Sequence, residues 1–364
     1  MLDFDIDPDI ARAQTPPASF YTSPELFERV RKHVFRRSWQ WITDADAIKS
    51  PGSVYPVPLL EGVLDEPILL TRDMDDRVHG LANVCTHRGN LVCEGPGTER
   101  SLRCRYHGRR FDLSGKMTHM PEFEGVEGFP SPADDLPRVP IAQWQRFFFA
   151  CIDPMTTLQT VFEPMERRIG WLPVREFQHD PTRRRDYMVR ANWALYVDNY
   201  LEGFHIPYIH AGLNAQLDYA NYRVETLPWG VLQLGIAEGD AEAFELPEGS
   251  SDGSERVAAY YYWFFPNLML NFYPWGLSIN IVKPLAVDLT RVSFISYVWK
   301  PEKIAVGAGA ELDRVEREDE AVVEATQKGL QSGLYTRGRY SATRETGPHH
   351  FHRLMLRALR GENS

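Results

Sequence analysis

The 364-residue chain has little cysteine, four residues in all, so it carries no disulfide framework. No apolar run approaches the ~20 residues that cross a bilayer, and no membrane partner is expected. A net charge of −10 excludes the basic stripe that nucleic acid demands, and the run Arg183, Arg184, Arg185 is too short to supply one. There is no GxGxxG loop to cradle a dinucleotide, and there are too few cysteines for a second, plant-type iron–sulfur cluster. Internal repeats and low-complexity tracts are missing too. The opening MLDFDIDPDI is acidic where a secretory leader is basic and then apolar, so the expected location is cytoplasmic.

What remains is a globular composition, 43% hydrophobic and 25% charged, long enough for two ordinary domains. Ser23 suits a helix cap and Pro24 a first helical position, with Leu26, Phe27, Val30, Val34 and Phe35 recurring on one face. From about residue 53 short β-like runs follow, VYPVPLL, EPILLTRD and VHGLANV, and RFFFACID reads as a closing strand. Further on, NWALYVDNYLEGFH has helical spacing, residues 257–300 read as strands, and a long helix is expected over about 308–331. The acidic, Gly/Ser-bearing stretch 237–256 reads as a surface excursion. The division expected is a helical segment 1–39, a β module 40–160 and a mixed α+β domain 161–364.

Three of the four cysteines fall within CTHRGNLVCEGPGTERSLRCRYHG, residues 85–108. Cys85-x-His87 and Cys104-x-x-His107 each join one thiolate to one imidazole. Four such ligands suit a tetrahedral zinc, but zinc sites usually group like with like, as CxxC and HxxxH. The mixed pairs resemble the loops of a Rieske [2Fe–2S] cluster, where two thiolates hold one iron and two imidazoles the other. Neutral imidazoles in place of thiolates raise such a cluster's potential, to roughly −150 to +300 mV. Cys93 lies off this spacing and reads as a spare buried thiol; Cys151, in an apolar run, reads as core.

A second constellation lies in NYLEGFHIPYIH. Glu202 and His205, three apart, are expected on one helix face. His205 and His210, five apart, would splay by about 140° on a straight helix, and Pro207 is expected to break it so that both imidazoles meet. Two histidines and a carboxylate make a facial triad for non-haem Fe(II). In ELDRVEREDEAVVEATQKGL, Asp319 falls near the middle of a stripe formed by Leu312, Val315, Val322, Thr326 and Leu330. Glu318 and Glu320 point roughly 90–110° away from it. A carboxylate on an apolar face is costly unless paired, and a metal would pair it.

Together these residues resemble the Rieske non-haem iron oxygenases, in which D/E-x2-H-x4-H follows the Rieske loops. The likeness runs from the helix near residue 23 to the one ending near 331. It implies a small all-β Rieske domain and a helix-grip catalytic domain, an antiparallel sheet with a long C-terminal helix. It also implies a [2Fe–2S] cluster on Cys85, His87, Cys104 and His107, and Fe(II) on His205, His210 and Asp319, the aspartate standing ahead of Gln327 and Gly329. A separate flavin/iron–sulfur reductase, oxidising NAD(P)H, would deliver electrons singly. One or both atoms of O2 would enter a small organic substrate. In this family electrons cross between the subunits of a homotrimer, and Glu202 would bridge His107 of one chain to His205 of the next.

Glu202 and FFPNLMLNFYPWGLSINIVKPL resemble the branch of choline monooxygenase and carnitine oxygenase, which implies a quaternary ammonium or N-methyl substrate. The aromatics of 260–276 would suit a cation–π cage, a hydrophobic ring, or a β core. An aromatic ring substrate is the alternative. A Rieske electron carrier or binding protein is a more distant one, because such a protein needs no second metal triad. Asn199, one turn before Glu202, is a candidate for facing the site, and HHFH at 349–352 is expected on the surface.

Overall fold

The computed structural model describes residues 4–362. Arg36–Met155 form one compact unit, and the described residues before and after them form another.

The first unit is built of short antiparallel strands. One sheet runs in the order Val78–Ala82, Glu66–Arg72, Ser53–Leu59, Gly97–Thr98; a second joins Gln40–Asp44, Phe147–Ala150 and Ile141–Trp144. These are the runs rich in β-branched and aromatic residues, punctuated by turns at Gly52, Gly62 and Asp76 with positive φ. A third, small sheet of Leu102–Arg103, Arg110–Phe111 and Met117–His119 carries the second Cys/His loop. Val54, Leu69, Leu81, Leu102, Phe111 and Leu113 form a core that also takes in Cys85 and Cys104, so both thiols sit over packed apolar side chains. Cys151 lies in the interior as expected, and burial pushes its thiol up to about 12.

The other unit is a seven-stranded antiparallel sheet gripped by helices. Its strands are β1 (Gln178–Val189), β2 (Arg223–Leu227), β3 (Gly230–Ile236), β4 (Val257–Phe264), β5 (Leu268–Tyr273), β6 (Gly276–Ala286) and β7 (Leu289–Val298). They lie in the order β1-β7-β6-β5-β4-β3-β2. Its longer helices are α1 (Pro24–His33), α2 (Leu158–Ile169), α3 (Trp193–Tyr200), α4 (Leu312–Leu330) and α5 (Thr346–Arg360). Ser23 caps α1 as expected, its Oγ accepting from the Leu26 N–H at 3.1 Å. Among the described residues no helix is long and apolar enough to cross a membrane.

Alternation along β4 divides the aromatic run between the two faces of the sheet. Tyr262 and Phe264 stack on one face, where Phe162 of α2 meets Phe264. Tyr261 and Trp263 lie on the other, Tyr261 against Tyr273 and Trp263 against Phe351 of α5. The aromatic stretch is thus core and cavity wall at once.

The surface position expected for HHFH gives way. His349 and His352 are 6% and 2% exposed: they lie three apart on α5, whose Phe351, Leu354, Met355 and Leu359 are buried as well. The acidic stretch 237–256 is largely a surface excursion as expected, anchored at two buried residues. Phe244 packs edge-on to Trp171, and buried Asp252 holds Arg168 at 2.6 Å. In the arginine run, Arg184 and Arg185 are exposed, but half-buried Arg183 lies over the Trp275 ring at 5.7 Å. Cys93 is half-buried, its thiol directed at the Gly95 carbonyl.

Candidate active site and metal centres

The two Cys/His loops share one backbone plan. In the first, Cys85 N–H donates to Asn90 O and Gly89 N–H to Cys85 O; in the second, Cys104 N–H donates to Arg109 O and Gly108 N–H to Cys104 O. Each closes on a glycine at positive φ, +74° at Gly89 and +76° at Gly108, a conformation costly to any residue with a Cβ. The loops face one another so that His87 Nδ1 and His107 Nδ1 stand 3.2 Å apart. The Cys85 thiol is held up by burial, against the pull of the His87 N–H. For Cys104 burial is outweighed by the Tyr106 N–H, Cys85 and Asn90, and its thiol is lowered. Buried Arg109 ties the loops from behind, donating to Thr86 Oγ1 at 2.8 Å and Asp134 at 3.3 Å beneath Phe123 and Phe129. No pattern in the sequence marked that arginine.

Tetrahedral zinc draws four donors round one point. Among the described residues, only His205, His210 and Asp319 bring three or more such donors within 4.8 Å of one another. The Cys/His set therefore does not converge as a single ion would require. Its paired imidazoles and paired thiols fit a centre with two irons.

The second site is assembled on α3, α4 and the segment after α3. Asn192 caps α3, its Oδ1 accepting from Ala194 N–H, while Asn192 N–H donates to Gln327 of α4 at 2.8 Å. The helix stops at Tyr200, so Glu202 and His205 do not share a helix face. Glu202 instead turns its carboxylate onto the chain ahead: Oε2 accepts the N–H groups of Phe204 and His205, and Oε1 pairs with His205 Nδ1 at 2.7 Å. Pro207 breaks nothing. It sits in the first turn of a one-turn helix, Ile206–Ile209, where its missing N–H is harmless. Gly203 is needed at the bend, because a Cβ there would meet the Tyr222 ring at 2.7 Å.

On α4 the buried face is Glu316, Val323, Gln327 and Leu330. It is rotated from the stripe expected, so Thr326 is exposed and Asp319 stands on the flank. The cause is polar partnership: Glu316 is drawn inward by the Tyr196 hydroxyl at 2.6 Å, and Gln327 by the Asn192 N–H. Glu318 does not point away from the site. Its Oε2 takes His210 Nδ1 at 2.8 Å.

His205 Nε2 and His210 Nε2 lie 3.1 Å apart; Asp319 Oδ1 is 3.0 Å from the second and 3.5 Å from the first. Asn199 faces this group, donating to Asp319 Oδ1 at 2.6 Å. A carboxylate only accepts, so Glu202 and Glu318 fix the hydrogen of each imidazole on Nδ1. Both Nε2 lone pairs then confront each other and a carboxylate oxygen, an arrangement that calls for a cation. Burial pushes His210 down, but Asp319 and Glu318 outweigh it and its pKa is raised; His210 in turn lowers Glu318. Bonds of about 2.1 Å at right angles would set neighbouring donors about 3 Å apart, the spacing found here. The residues fit a divalent metal with one open side.

That side faces a cavity of about 100 Å³, measured at the centres of water-sized molecules. Since one water occupies ~10–15 Å³ on this scale, it takes one small organic molecule. Tyr200, Tyr222, Tyr261, Tyr273 and Phe294 wall it, with Asn271, Asn280 and Gln233 from the sheet; among the described residues no Lys or Arg lines it. A second cavity reaches Asn199, Glu202 and His205, lined also by Tyr21, Asp198, Tyr340 and His352.

Known proteins align with both halves. The family described as ring hydroxylating alpha subunit (catalytic domain) matches residues 171–361, and the Rieske [2Fe-2S] domain matches 38–130. Choline monooxygenase of Arabidopsis thaliana, a chloroplastic enzyme, is 30% identical over 99% of this chain and 86% of its own length. The carnitine monooxygenase oxygenase subunit of Escherichia coli (strain K12) is 27% identical over 96% and 94%. The solved structure of a quaternary ammonium Rieske monooxygenase has the same fold, with a TM-score of 0.77 at 23% identity, over 97% of this chain and 96% of the other. Those alignments settle what the paired loops and the triad imply separately: this chain belongs to the Rieske ring-hydroxylating oxygenase alpha subunits, oxidoreductases with a [2Fe–2S] cluster and a mononuclear iron that draw electrons from a reductase.

Proposed function

We propose that this chain is the oxygenase component that hydroxylates or oxidatively demethylates a quaternary ammonium or N-methyl compound. The observation that carries the reading is the cavity wall, five tyrosines with the carboxylates of Glu202 and Asp319 and, among the described residues, no lining Lys or Arg. Ring faces attract a methylammonium by ~0.5–2 kcal/mol each once it is desolvated, and the carboxylates add to the negative potential. An uncharged aromatic ring gains nothing from that potential. The named activities of the choline and carnitine relatives agree with this choice.

His205, His210 and Asp319 would hold the mononuclear iron; Cys85 and Cys104 would hold one iron of the cluster, His87 and His107 the other. When bound, the iron supplies activation of O2. For hydroxylation, a C–H bond, O2, two electrons and two protons become C–OH and water, the electrons coming from NAD(P)H through the separate reductase. The protein's part is to hold the substrate cation against the rings, to keep both imidazoles in the Nδ1–H form, and to exclude water.

Glu202 has a further role in this reading. Of the four lone-pair sites of its carboxylate, three are taken, by His205 Nδ1 and by the Phe204 and His205 N–H groups. The fourth is left for His107 of a neighbouring copy in a homotrimer, so that one residue joins cluster to iron. The assembly works in the cytoplasm. Reductase-coupled O2 consumption, with product analysis to exclude uncoupled turnover, tests the substrate class. Betaines and carnitine-like amines should stimulate it; stimulation by simple aromatics alone would overturn the reading.

A further inference from the structure

The sheet floor of the substrate cavity is polar where a β core is normally apolar. Gln233, Tyr261, Asn271 and Ser278 are directly paired across β3, β4, β5 and β6, and all are buried. Buried amides need partners, and most atoms here have them. Gln233 donates to the Tyr200 carbonyl and accepts from Tyr222 at 3.2 Å. Asn271 Oδ1 accepts from the Tyr200 hydroxyl at 2.5 Å, and Asn280 Oδ1 from Ser278 Oγ at 2.8 Å. The Nδ2 groups of Asn271 and Asn280 are the exceptions: among the described residues neither finds an acceptor. Both residues are more than nine-tenths buried, at 3% and 4% exposure, and both line the cavity. Both groups open onto the cavity, and once a ligand displaces its water a donor left unpaired is costly, so a ligand that accepts from it avoids that loss.

We infer that Asn271 and Asn280 are specificity-determining residues that read the end of the substrate remote from its N-methyl group, and that this end is a neutral acceptor, a hydroxyl or carbonyl, rather than a carboxylate. The inference rests on the cationic substrate proposed above. Charge separates the two kinds of tail. The amides offer N–H donors to either, but a carboxylate would enter a water-poor cavity where Glu202, Asp319 and nearby Glu318 already outnumber the two charges of a ferrous ion, and among the described residues no Lys or Arg lines it to offset desolvation. A hydroxyl or carbonyl meets no such cost. The guanidinium groups of Arg183, Arg185 and Arg314 line a separate cavity that shares only Phe294 and Leu312 with this site.

The test uses the iron-loaded holoenzyme and four probes: tetramethylammonium, which has no tail; choline; glycine betaine; and betaine amide, the isostere of betaine whose tail is uncharged. Calorimetric Kd values are measured alongside reductase-coupled kcat/KM. Tetramethylammonium should bind, and choline and betaine amide should bind at least tenfold more tightly than betaine. Asn271→Leu and Asn280→Leu should each weaken choline about tenfold and leave tetramethylammonium within twofold, with melting temperature and iron content checking the fold. Should Asn271→Leu disturb Tyr200, Asn280→Leu still decides. Failure of tetramethylammonium to bind would refute the cationic substrate itself. Its binding together with a preference for betaine, or with choline affinity unchanged in both variants, would refute the tail reading alone; loss of the betaine preference in Arg183→Ala would then place the carboxylate in the neighbouring cavity.

Discussion

Replacing Glu318 separates the identity of His210, a proposed iron ligand, from its orientation. The residue touches no metal position; its Oε2 accepts from His210 Nδ1 at 2.8 Å, while Oε1 pairs with Arg314 at 3.2 Å. Glu318→Gln keeps an acceptor but removes its charge, which forfeits roughly half of a charge-assisted bond, about 1–1.5 kcal/mol, or near tenfold in iron affinity. Glu318→Ala removes the acceptor, so the imidazole can rotate or move its hydrogen to Nε2, for about 2–3 kcal/mol and roughly 100-fold. The assay is loss of iron to a graded chelator, with the visible spectrum of the cluster as an internal standard in the same sample. The affinities should fall in the order wild type, Gln, Ala, while the cluster signal stays constant. Iron retained equally by all three proteins would refute the argument that Glu318 fixes the tautomer of His210.

Other substitutions test neighbouring steps. Glu202→Gln should leave both metals bound and the cluster reducible, yet lower coupled turnover by 100-fold or more, seen as slow reoxidation of the cluster in a stopped-flow experiment; normal reoxidation would remove the bridge. Glu316 is fully enclosed, has one oxygen without a partner, and is raised well above the usual carboxylate range by burial and by the nearby Asp319 and Glu320. A raised carboxylate stabilises the fold only while protonated, so that contribution is lost as pH rises above the unfolded value near 4.5 toward the folded one. Glu316→Gln should raise the melting temperature by roughly 2–4 °C at pH 8 and flatten its fall between pH 5 and 8. Cys151, with its thiol pushed up to about 12, should resist alkylation at pH 8 until the chain unfolds, as peptide mapping would show.

Chemistry was easier to read from the chain than orientation. Cys85, His87, Cys104 and His107 were legible because ligand type and loop spacing are local properties, enforced by Gly89 and Gly108. Asp319 was singled out as a carboxylate amid apolar neighbours, and the structure does bring it to His205 and His210, though from the flank of α4. Its face of α4 was misjudged because helical periodicity weighs hydrophobicity alone, whereas Glu316 and Gln327 are buried by hydrogen bonds to Tyr196 and Asn192. The same blindness hid Glu318, whose partner lies 108 residues away in sequence. Glu202 and His205 were rightly joined but for the wrong reason: a turn built by the glutamate itself, not a helix, brings them together. Asn271 and Asn280 gave no sign in two largely apolar strands, since an unpaired amide shows only once its neighbours are in place.

The account stands on two different iron centres in one chain, one held by the paired loops and one by His205, His210 and Asp319. Electron paramagnetic resonance of the reduced protein, combined with iron analysis before and after mild chelation, tests this directly. A Rieske signal that survives chelation, plus one further Fe(II) that is removed by it and never loaded by Asp319→Ala, is the result predicted. Zinc alone, or iron confined to the cluster in the intact protein, would contradict it.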